Sequence, residues 1–426
     1  MTAGAAAAPV QAIIMDLDGL ILDTESLCLE VGAAVLARHG KTLTPEAAQA
    51  ALGKRPLCAW AGVAAAVGLD VPAEQLFAET EPLLQERWPE AKVLPGARRL
   101  LQHARDAGLK VAVATSTSRA TFERKTADKP WLLALLDAVA CGDEVPRGKP
   151  APDVFLEAAA RLGGVPAGAC VVFEDAPSGV EAAAAAGMRV VAVPSMLHQG
   201  GATGFPNPRP DAAAGLVRVL PSLLAFDAPA FGMPPFSDVV EGVIPLDSPF
   251  RIRGTVVKGF GRGSKELGIP TANVDAGSLR AALAEAVTGI YAGFASVGDS
   301  EQVHKMVMSI GWNPFYGNSE KTAEPWLLAE FEEPFYDQEI RLVVCGYVRP
   351  EANFTSLEAL IERIRRDGAP RAIALHTRAS PGGPLSWLAA ATKADAVSAS
   401  GLLHQSLAAA PRGGAPRHNP PGHARG

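Results

Sequence analysis

Two acidic residues follow a short apolar run near the start of the chain. The stretch AIIMDLDG places Asp16 and Asp18 two positions apart, and Gly19 permits a sharp turn directly after them. One carboxylate can attack a phosphoryl group as a nucleophile, and a second can give or accept the proton that the displacement requires. The pair alone is a weak signal, because an exposed turn with two acids has the same sequence.

Three further motifs follow in order and strengthen this interpretation. They are AVATSTS with Thr115, RGKPAPDVF with Lys149, and VVFEDAPSG with Glu174 and Asp175. Two unit charges about 4 Å apart interact by roughly 4 kcal/mol at an effective dielectric near 20. Converging carboxylates therefore need cations beside them. Lys149 supplies one charge, and Mg²⁺ prefers oxygen ligands, so the set predicts a magnesium-dependent phosphoryl-transfer site.

The elements that must position these residues are strands and helices in alternation. Apolar runs between residues 10 and 193 alternate with Ala- and Leu-rich stretches, which is typical of an α/β domain around a parallel sheet. Open parallel sheets bind ligands at the carboxyl ends of their strands, where the polar motif residues lie. We predict this domain at residues 1–232, with a mostly helical cap at about 26–88, and a closing helix at 216–224.

Residues 10–193 resemble a haloacid dehalogenase superfamily phosphatase, with a Rossmann-like core and a helical cap inserted after the first motif. The resemblance implies that Asp16 is the nucleophile and that Asp18 is first the acid and then the base. Thr115 would hold the phosphoryl oxygens and Lys149 would neutralise the developing charge. The implied magnesium ligands are the Asp16 carboxylate, the Asp18 backbone carbonyl, Asp175 and, in or near the same shell, Glu174.

A glycine-rich segment, GRGSKELGIPTAN, occupies residues 261–273. Backbone amides in such a loop can cradle phosphates, but the spacing is not specific, GxxxxGK[ST] is absent, and PTAN can equally begin an ordinary strand. From residue 243 onward the pattern alternates like β-strands and ends in one helix at 357–367. This pattern favours a small antiparallel β-barrel, which we predict at residues 240–375.

The order of GRGSKELGIPTAN, GIYAGFASV, VHKMVMSIGWNPFYGN, KTAEPWLLAEF and CGYVRPEANFTSLEALI strongly resembles riboflavin kinase over residues 254–367. That family is a small β-barrel that transfers the terminal phosphate of ATP to riboflavin and forms FMN. The resemblance implies that Thr271 and Asn273 hold Mg²⁺ and that Glu324 is the general base. The loop implied to cover the nucleotide phosphates contributes Gly261, Gly263, Ser264 and Lys265.

The fusion of both domains resembles the bifunctional FMN hydrolases and riboflavin kinases of plants and green algae. It implies riboflavin, FMN and MgATP as small-molecule partners. The chain departs from the kinase pattern at Trp326 and Ala329, where histidines are usual, at Pro334, where an acid is common, and after Asp367. These departures keep a second hypothesis open: a phosphatase for another small phosphate ester, whose barrel binds a flavin or nucleotide without kinase activity.

Composition limits the remaining possibilities. A net charge of -6 without a basic stripe argues against nucleic-acid or anionic-membrane partners. The five cysteines form no CxxC pair, which favours a reducing compartment without a disulfide framework. No apolar run reaches the ~18 residues of a membrane span, and no secretory signal is recognisable, so we expect a cytoplasmic location. Residues 381–426 are expected to be a disordered low-complexity tail.

Overall fold

The computed structural model describes residues 8–51, 56–194, 204–240, 242–258, 269–283, 286–312 and 321–368. The predicted tail at 381–426 lies outside these residues. So do the four loop residues implied for the nucleotide phosphates, which are Gly261, Gly263, Ser264 and Lys265.

The first half of the chain alternates strands and helices. In chain order the elements are β1 (Ala12–Met15), β2 (Leu22–Asp23), α1 (Thr24–Arg38), α2 (Pro45–Ala51), α3 (Pro56–Val67), α4 (Ala73–Arg87), β3 (Lys92–Val93), α5 (Ala97–Asp106), β4 (Lys110–Ala114), α6 (Arg119–Thr126), α7 (Pro130–Leu135), β5 (Ala138–Ala140), α8 (Asp153–Arg161), β6 (Cys170–Glu174), α9 (Pro177–Ala185), β7 (Arg189–Ala192) and β8 (Gly215–Val219).

Six of these strands form one parallel sheet in the order β5-β4-β1-β6-β7-β8. Its central strands are apolar along their whole length and buried, as expected for a parallel sheet with helices on both faces. Met15 at the end of β1 is in register with Val113 of β4 and Phe173 of β6. The residues that follow these strands therefore meet at one edge, and the predicted α/β fold is confirmed.

The helical cap consists of α1 to α4, inserted between β2 and β3. These two short strands pair antiparallel, Leu22 with Val93, so the chain enters and leaves the cap at adjacent points. The cap has its own apolar cluster around Trp60, Leu36 and Leu76, separate from the two clusters that flank the sheet.

The expectation of a helix at 216–224 is wrong. The segment contains β8, which pairs in parallel with β7 as the edge strand of the sheet. The alternating β-branched residues Val217 and Val219 suit a strand, and Pro221 cannot lie in a helix interior without disrupting it.

The second half of the chain is mostly β-structure. Its elements are β9 (Ile244–Val257), β10 (Asn273–Val274), α10 (Ala276–Leu283), β11 (Gly289–Val297), β12 (His304–Trp312), β13 (Lys321–Leu327), β14 (Glu339–Arg349) and α11 (Leu357–Asp367). The strands form an antiparallel sheet in the order β10-β9-β14-β11-β12-β13. Ala272 N donates to Pro325 O at 2.9 Å between the two sheet edges, so the sheet nearly closes into the predicted barrel.

The barrel core contains two buried tyrosines, Tyr291 and Tyr347, whose rings pack edge to face at 5.2 Å. At the end of the described chain, the buried carboxylate of Asp367 accepts hydrogen bonds from Arg349 Nε at 2.9 Å and Nη2 at 2.7 Å. These bonds attach α11 to β14. Across the described segments, no helix combines the length and apolar character that a membrane crossing requires.

Candidate active sites

The first candidate site lies at the carboxyl edge of the parallel sheet. Asp16 and Thr115 come directly after β1 and β4, and Glu174 is the last residue of β6. The Asp16 amide donates to Phe173 O and the Thr115 amide donates to Ala140 O, both at 3.0 Å. The sheet hydrogen bonding therefore continues through both residues and fixes the backbone from which their side chains extend.

Lys149 connects the carboxylates of the first and last motifs. Its Nζ donates to Asp16 Oδ1, to Glu174 Oε1 at 2.6 Å and to Ala114 O at 3.1 Å. An ammonium group has three protons, so these three acceptors satisfy it. The Lys149 side chain is only 6% exposed, which makes the contacts a buried, charge-assisted network.

The carboxylates at this edge are difficult to ionise together. Burial raises the pKa of Asp16 to about 7; Lys149 opposes this shift, while Glu174 and Asp18 add to it. Burial, Glu174 and Asp16 raise the pKa of Asp175 well above its usual range. The negative charge of these carboxylates is therefore larger than the positive charge that Lys149 supplies. Their donor atoms are hard oxygens, which Mg²⁺ prefers, so the residues fit a bound Mg²⁺.

Asp175 reaches the first motif because Gly19 has no side chain. Gly19 has φ +79°, and a β-carbon there would lie 2.2 Å from Asp175 Oδ2. The Asp175 carboxylate thus lies against the turn that begins at Asp18. Both carboxylate oxygens of Glu174 accept hydrogen bonds from the protein. Its Oε2 accepts from the Ala176 amide at 3.0 Å, and its Oε1 accepts from Lys149. Among the described residues, no three His, Cys, Asp or Glu side chains are grouped as metal ligands.

Asp18 has partners that the motifs did not predict. Its Oδ1 accepts from Lys125 Nζ at 2.7 Å, and its Oδ2 accepts from the Thr117 hydroxyl at 3.2 Å. Burial acts to raise the pKa of Asp18, but Lys125 and hydrogen bonds from Thr24 and Thr117 lower it overall. Lys125 lies in the polar stretch RATFERKT, where a lysine usually faces solvent, so neither its type nor its spacing indicated this role.

The second candidate site lies where the barrel nearly closes. Asn273 starts β10, and the Ala272 to Pro325 hydrogen bond places Thr271 and Asn273 beside the part of β13 that carries Glu324. The Glu324 side chain is accessible to solvent, yet the surrounding protein desolvates it enough to raise its pKa. The three implied residues are therefore brought to one edge of the barrel.

A cavity of about 890 Å³ opens beside this edge. Its wall includes Thr271, Ala272, Pro325 and the segment 326–336, which contains three of the departures from the kinase pattern, at positions 326, 329 and 334. A cavity of this size matches the ~300 to 1,000 Å³ typical of small-molecule sites.

Two family models match the chain, one on each domain. The model described as haloacid dehalogenase-like hydrolase matches residues 10–187, and the model described as riboflavin kinase matches residues 246–372. The first match covers strands β1 to β6, and the second covers β10 to β14 and all but the first two residues of β9.

Individual relatives match either most of this chain or only one part of it. A bifunctional riboflavin kinase/FMN phosphatase of Arabidopsis thaliana is 41% identical over 355 residues, which are 83% of this chain and 90% of that protein. A riboflavin kinase of Mus musculus is 53% identical over 119 residues, 28% of this chain and 76% of that protein. A (DL)-glycerol-3-phosphatase 2 of Arabidopsis thaliana is 37% identical over 234 residues, 53% of this chain and 92% of that protein.

The match to the bifunctional relative spans 355 residues, which is longer than either domain, so it extends into both. The haloacid dehalogenase-like and riboflavin kinase domains occur in the order that the sequence predicted. The chain belongs to the family of bifunctional riboflavin kinase/FMN phosphatases.

Proposed function

We propose that the chain makes FMN from riboflavin and MgATP in its barrel and hydrolyses FMN to riboflavin and phosphate in its α/β domain. The observation that carries this proposal is the match over 83% of the chain to a relative named for both activities. The two candidate sites support it, because each holds the side chains that its half of the cycle requires.

In the hydrolase, Asp16 is the nucleophile. Its carboxylate forms a bond to phosphorus while the ester P–O bond breaks, and Asp18 donates a proton to the leaving oxygen. Water then attacks the aspartyl-phosphate and Asp18 takes its proton. Thr115 Oγ1 accepts from the Thr117 amide at 3.1 Å, which leaves the Thr115 hydroxyl proton available for a phosphoryl oxygen.

Lys149 and a divalent cation share the task of charge neutralisation. The residues that would hold Mg²⁺ are Asp16, the Asp18 carbonyl and Asp175. When bound, the ion neutralises phosphoryl charge. Glu174 is assigned a different task, because its two oxygens accept from Lys149 and the Ala176 amide. It positions the Lys149 ammonium against Asp16.

In the kinase, Glu324 accepts the proton of the riboflavin hydroxyl as that oxygen attacks the terminal phosphate of ATP. Thr271 and Asn273 would hold Mg²⁺, which spreads the charge of the donor phosphates. Gly261, Gly263, Ser264 and Lys265 would cover these phosphates. The cavity beside Thr271 and Pro325 is where we place the flavin or nucleotide.

A second candidate applies to the α/β domain alone. The match to a glycerol-3-phosphatase over 53% of this chain favours another small alkyl phosphate ester as its substrate. In that case the barrel, with Trp326, Ala329 and Pro334 in its cavity wall, would bind a flavin or nucleotide without phosphorylating it.

The test is to incubate the protein with FMN and Mg²⁺, without ATP, and to measure riboflavin and phosphate. Asp16→Asn is the control, with glycerol 3-phosphate as the competing substrate. We expect riboflavin release that disappears in Asp16→Asn. Hydrolysis of glycerol 3-phosphate without hydrolysis of FMN would favour the second candidate.

The kinase is tested in the Asp16→Asn background, so that the FMN formed is not destroyed. Riboflavin and MgATP should give FMN there at the wild-type rate, and Glu324→Gln should reduce that rate by about 10² to 10⁴-fold, the usual contribution of a general base. If Asp16→Asn also eliminated FMN formation, the two activities would not reside in separate sites.

A further inference from the structure

A buried lysine outside the phosphatase motifs contacts the acid/base residue. The Lys125 side chain, on α6, is only 5% exposed. Its Nζ lies 2.7 Å from Asp18 Oδ1, 3.0 Å from Thr117 Oγ1 and 4.3 Å from the centre of the Trp88 ring. A buried ammonium is strongly destabilising unless it is paired, and the carboxylate paired with Lys125 is Asp18.

The three polar groups form a closed ring of hydrogen bonds. Lys125 donates to Asp18 Oδ1 and to Thr117 Oγ1, and Thr117 in turn donates its only hydroxyl proton to Asp18 Oδ2. An ammonium group has no acceptor, so the direction of the two Lys125 bonds is fixed, and the direction of the Thr117 bond follows. The carboxylate is therefore held in one orientation.

The ring makes the two oxygens of Asp18 inequivalent. Oδ1 accepts a short, charge-assisted bond from Lys125 at 2.7 Å, whereas the bond that Oδ2 accepts from the Thr117 hydroxyl is longer, at 3.2 Å. A proton on Oδ1 would compete with the ammonium for the same oxygen. Oδ2 is thus the oxygen that can exchange a proton during the reaction.

We propose that Lys125 is a positioning residue for hydrolysis, which holds Asp18 so that Oδ2 faces the reacting phosphate ester. This inference rests on the proposed phosphatase function. In the first step, an Asp16 oxygen bonds to phosphorus, the ester P–O bond breaks, and the leaving oxygen takes a proton from Asp18 Oδ2. In the second step, water bonds to phosphorus, gives its proton to Asp18 Oδ2, and the bond from phosphorus to Asp16 breaks.

The cap supplies the wall against which the ammonium lies. Trp88 follows α4, the last helix of the cap, and is buried. A cation over an indole face is stabilised by the ring quadrupole, most strongly when it is desolvated. The contact connects the position of Lys125 to the end of the cap.

The test compares esters with poor and good leaving groups in the full-length chain. FMN and glycerol 3-phosphate are alkyl esters whose leaving oxygen needs a proton; p-nitrophenyl phosphate releases a stable anion and does not. Lys125→Met should lower kcat for the alkyl esters by about 10²-fold or more. With p-nitrophenyl phosphate, it should give a burst of about one equivalent of p-nitrophenolate and then slow turnover, because only the second step needs the base.

Two further variants separate positioning from simple loss of structure. Lys125→Arg retains a buried donor and should recover part of the lost kcat, although its planar fork differs from an ammonium. Lys129→Met is the matched control: Lys129 is also buried, but it donates to Pro89 O at 2.7 Å and to Asp128 at 2.6 Å. Its ratio of alkyl to aryl turnover should equal that of the wild type. Urea unfolding of each variant monitors the integrity of the α/β domain.

Wild-type kcat for alkyl esters in Lys125→Met would overturn the inference. So would equal losses on alkyl and aryl esters without a burst, which would indicate a merely structural role. If the wild type hydrolyses glycerol 3-phosphate but not FMN, the proposed substrate fails and Lys125 is tested on glycerol 3-phosphate. If it hydrolyses neither alkyl ester, the burst with p-nitrophenyl phosphate decides the role of Lys125.

Discussion

Gly179 in α9 lies directly against the carboxylate of Glu174. A β-carbon at Gly179 would lie 1.7 Å from Glu174 Oε1, the oxygen that accepts from Lys149. The absence of a side chain at this position therefore permits the Lys149 network to form.

Gly179→Ala is expected to displace Glu174 and release Lys149. Overpacking of this kind costs about 1 to 3 kcal/mol, and the misplaced ammonium should reduce phosphate release from FMN at least about tenfold. Gly168→Ala is the control, because a β-carbon there meets nothing within 4 Å. Denaturant unfolding and hydrolysis assays on both variants check this. Equal behaviour of the two would show that Glu174 does not hold Lys149 in place.

Lys149→Met should destabilise the α/β domain as well as abolish hydrolysis. Removing one partner of a buried ion pair typically costs about 3 to 5 kcal/mol, because Asp16 and Glu174 would remain buried without their cation. Arg147→Met is the control in the same turn; that side chain is 69% exposed, so the loss of its pair with Asp153 should change the stability far less. Unfolding by urea in the absence of Mg²⁺ gives both values. A Lys149→Met protein as stable as Arg147→Met would contradict the buried network.

On acidification, kinase activity should fall at a higher pH than it would if the general base had the pKa of an ordinary glutamate. Desolvation by the surrounding protein raises the pKa of Glu324 above 4.5, and a general base must be ionised in the free enzyme. The acid limb of kcat/KM for FMN formation should therefore have its midpoint above pH 4.5. Glu324→Gln should remove this limb together with most of the rate. A limb that persists unchanged in Glu324→Gln would assign the titration to another group.

Arg349 is expected to hold the C-terminal helix on the barrel. It donates from Nε and Nη2 to Asp367 Oδ2, and Asp367 is only 4% exposed. Arg349→Met should destabilise the barrel by about 3 kcal/mol, since it leaves a buried carboxylate with less compensation. Arg253→Met is the control in the same barrel. It removes an exposed ion pair with Glu339 and should change the stability far less.

The measurement is thermal unfolding of both arginine variants, with the KM for riboflavin as a second readout. Gly368 packs against Trp326, which lines the cavity beside Thr271. A displaced α11 should therefore raise the KM in Arg349→Met only. Equal unfolding temperatures for the two variants would show that the Asp367 contact does not anchor the helix.

Local patterns in the sequence were sufficient to predict the two folds, and they predict where the two candidate sites lie. Asp16, Thr115 and Glu174 each end or follow an apolar run, and parallel strands must bring such ends to one sheet edge. Alternation with period two likewise indicated the antiparallel barrel. These signals are local, because side-chain periodicity and strand ends are properties of short segments.

The contacts that join distant segments become visible only in the folded chain. Lys125 is 107 positions from Asp18, and nothing in a helical polar stretch indicates that one lysine is buried against a carboxylate. The partners of Glu174 and the pairing of β8 with β7 depend in the same way on packing. The physical reason is that burial and register are set by the whole fold, which selects one long-range partner among many that the local sequence permits equally.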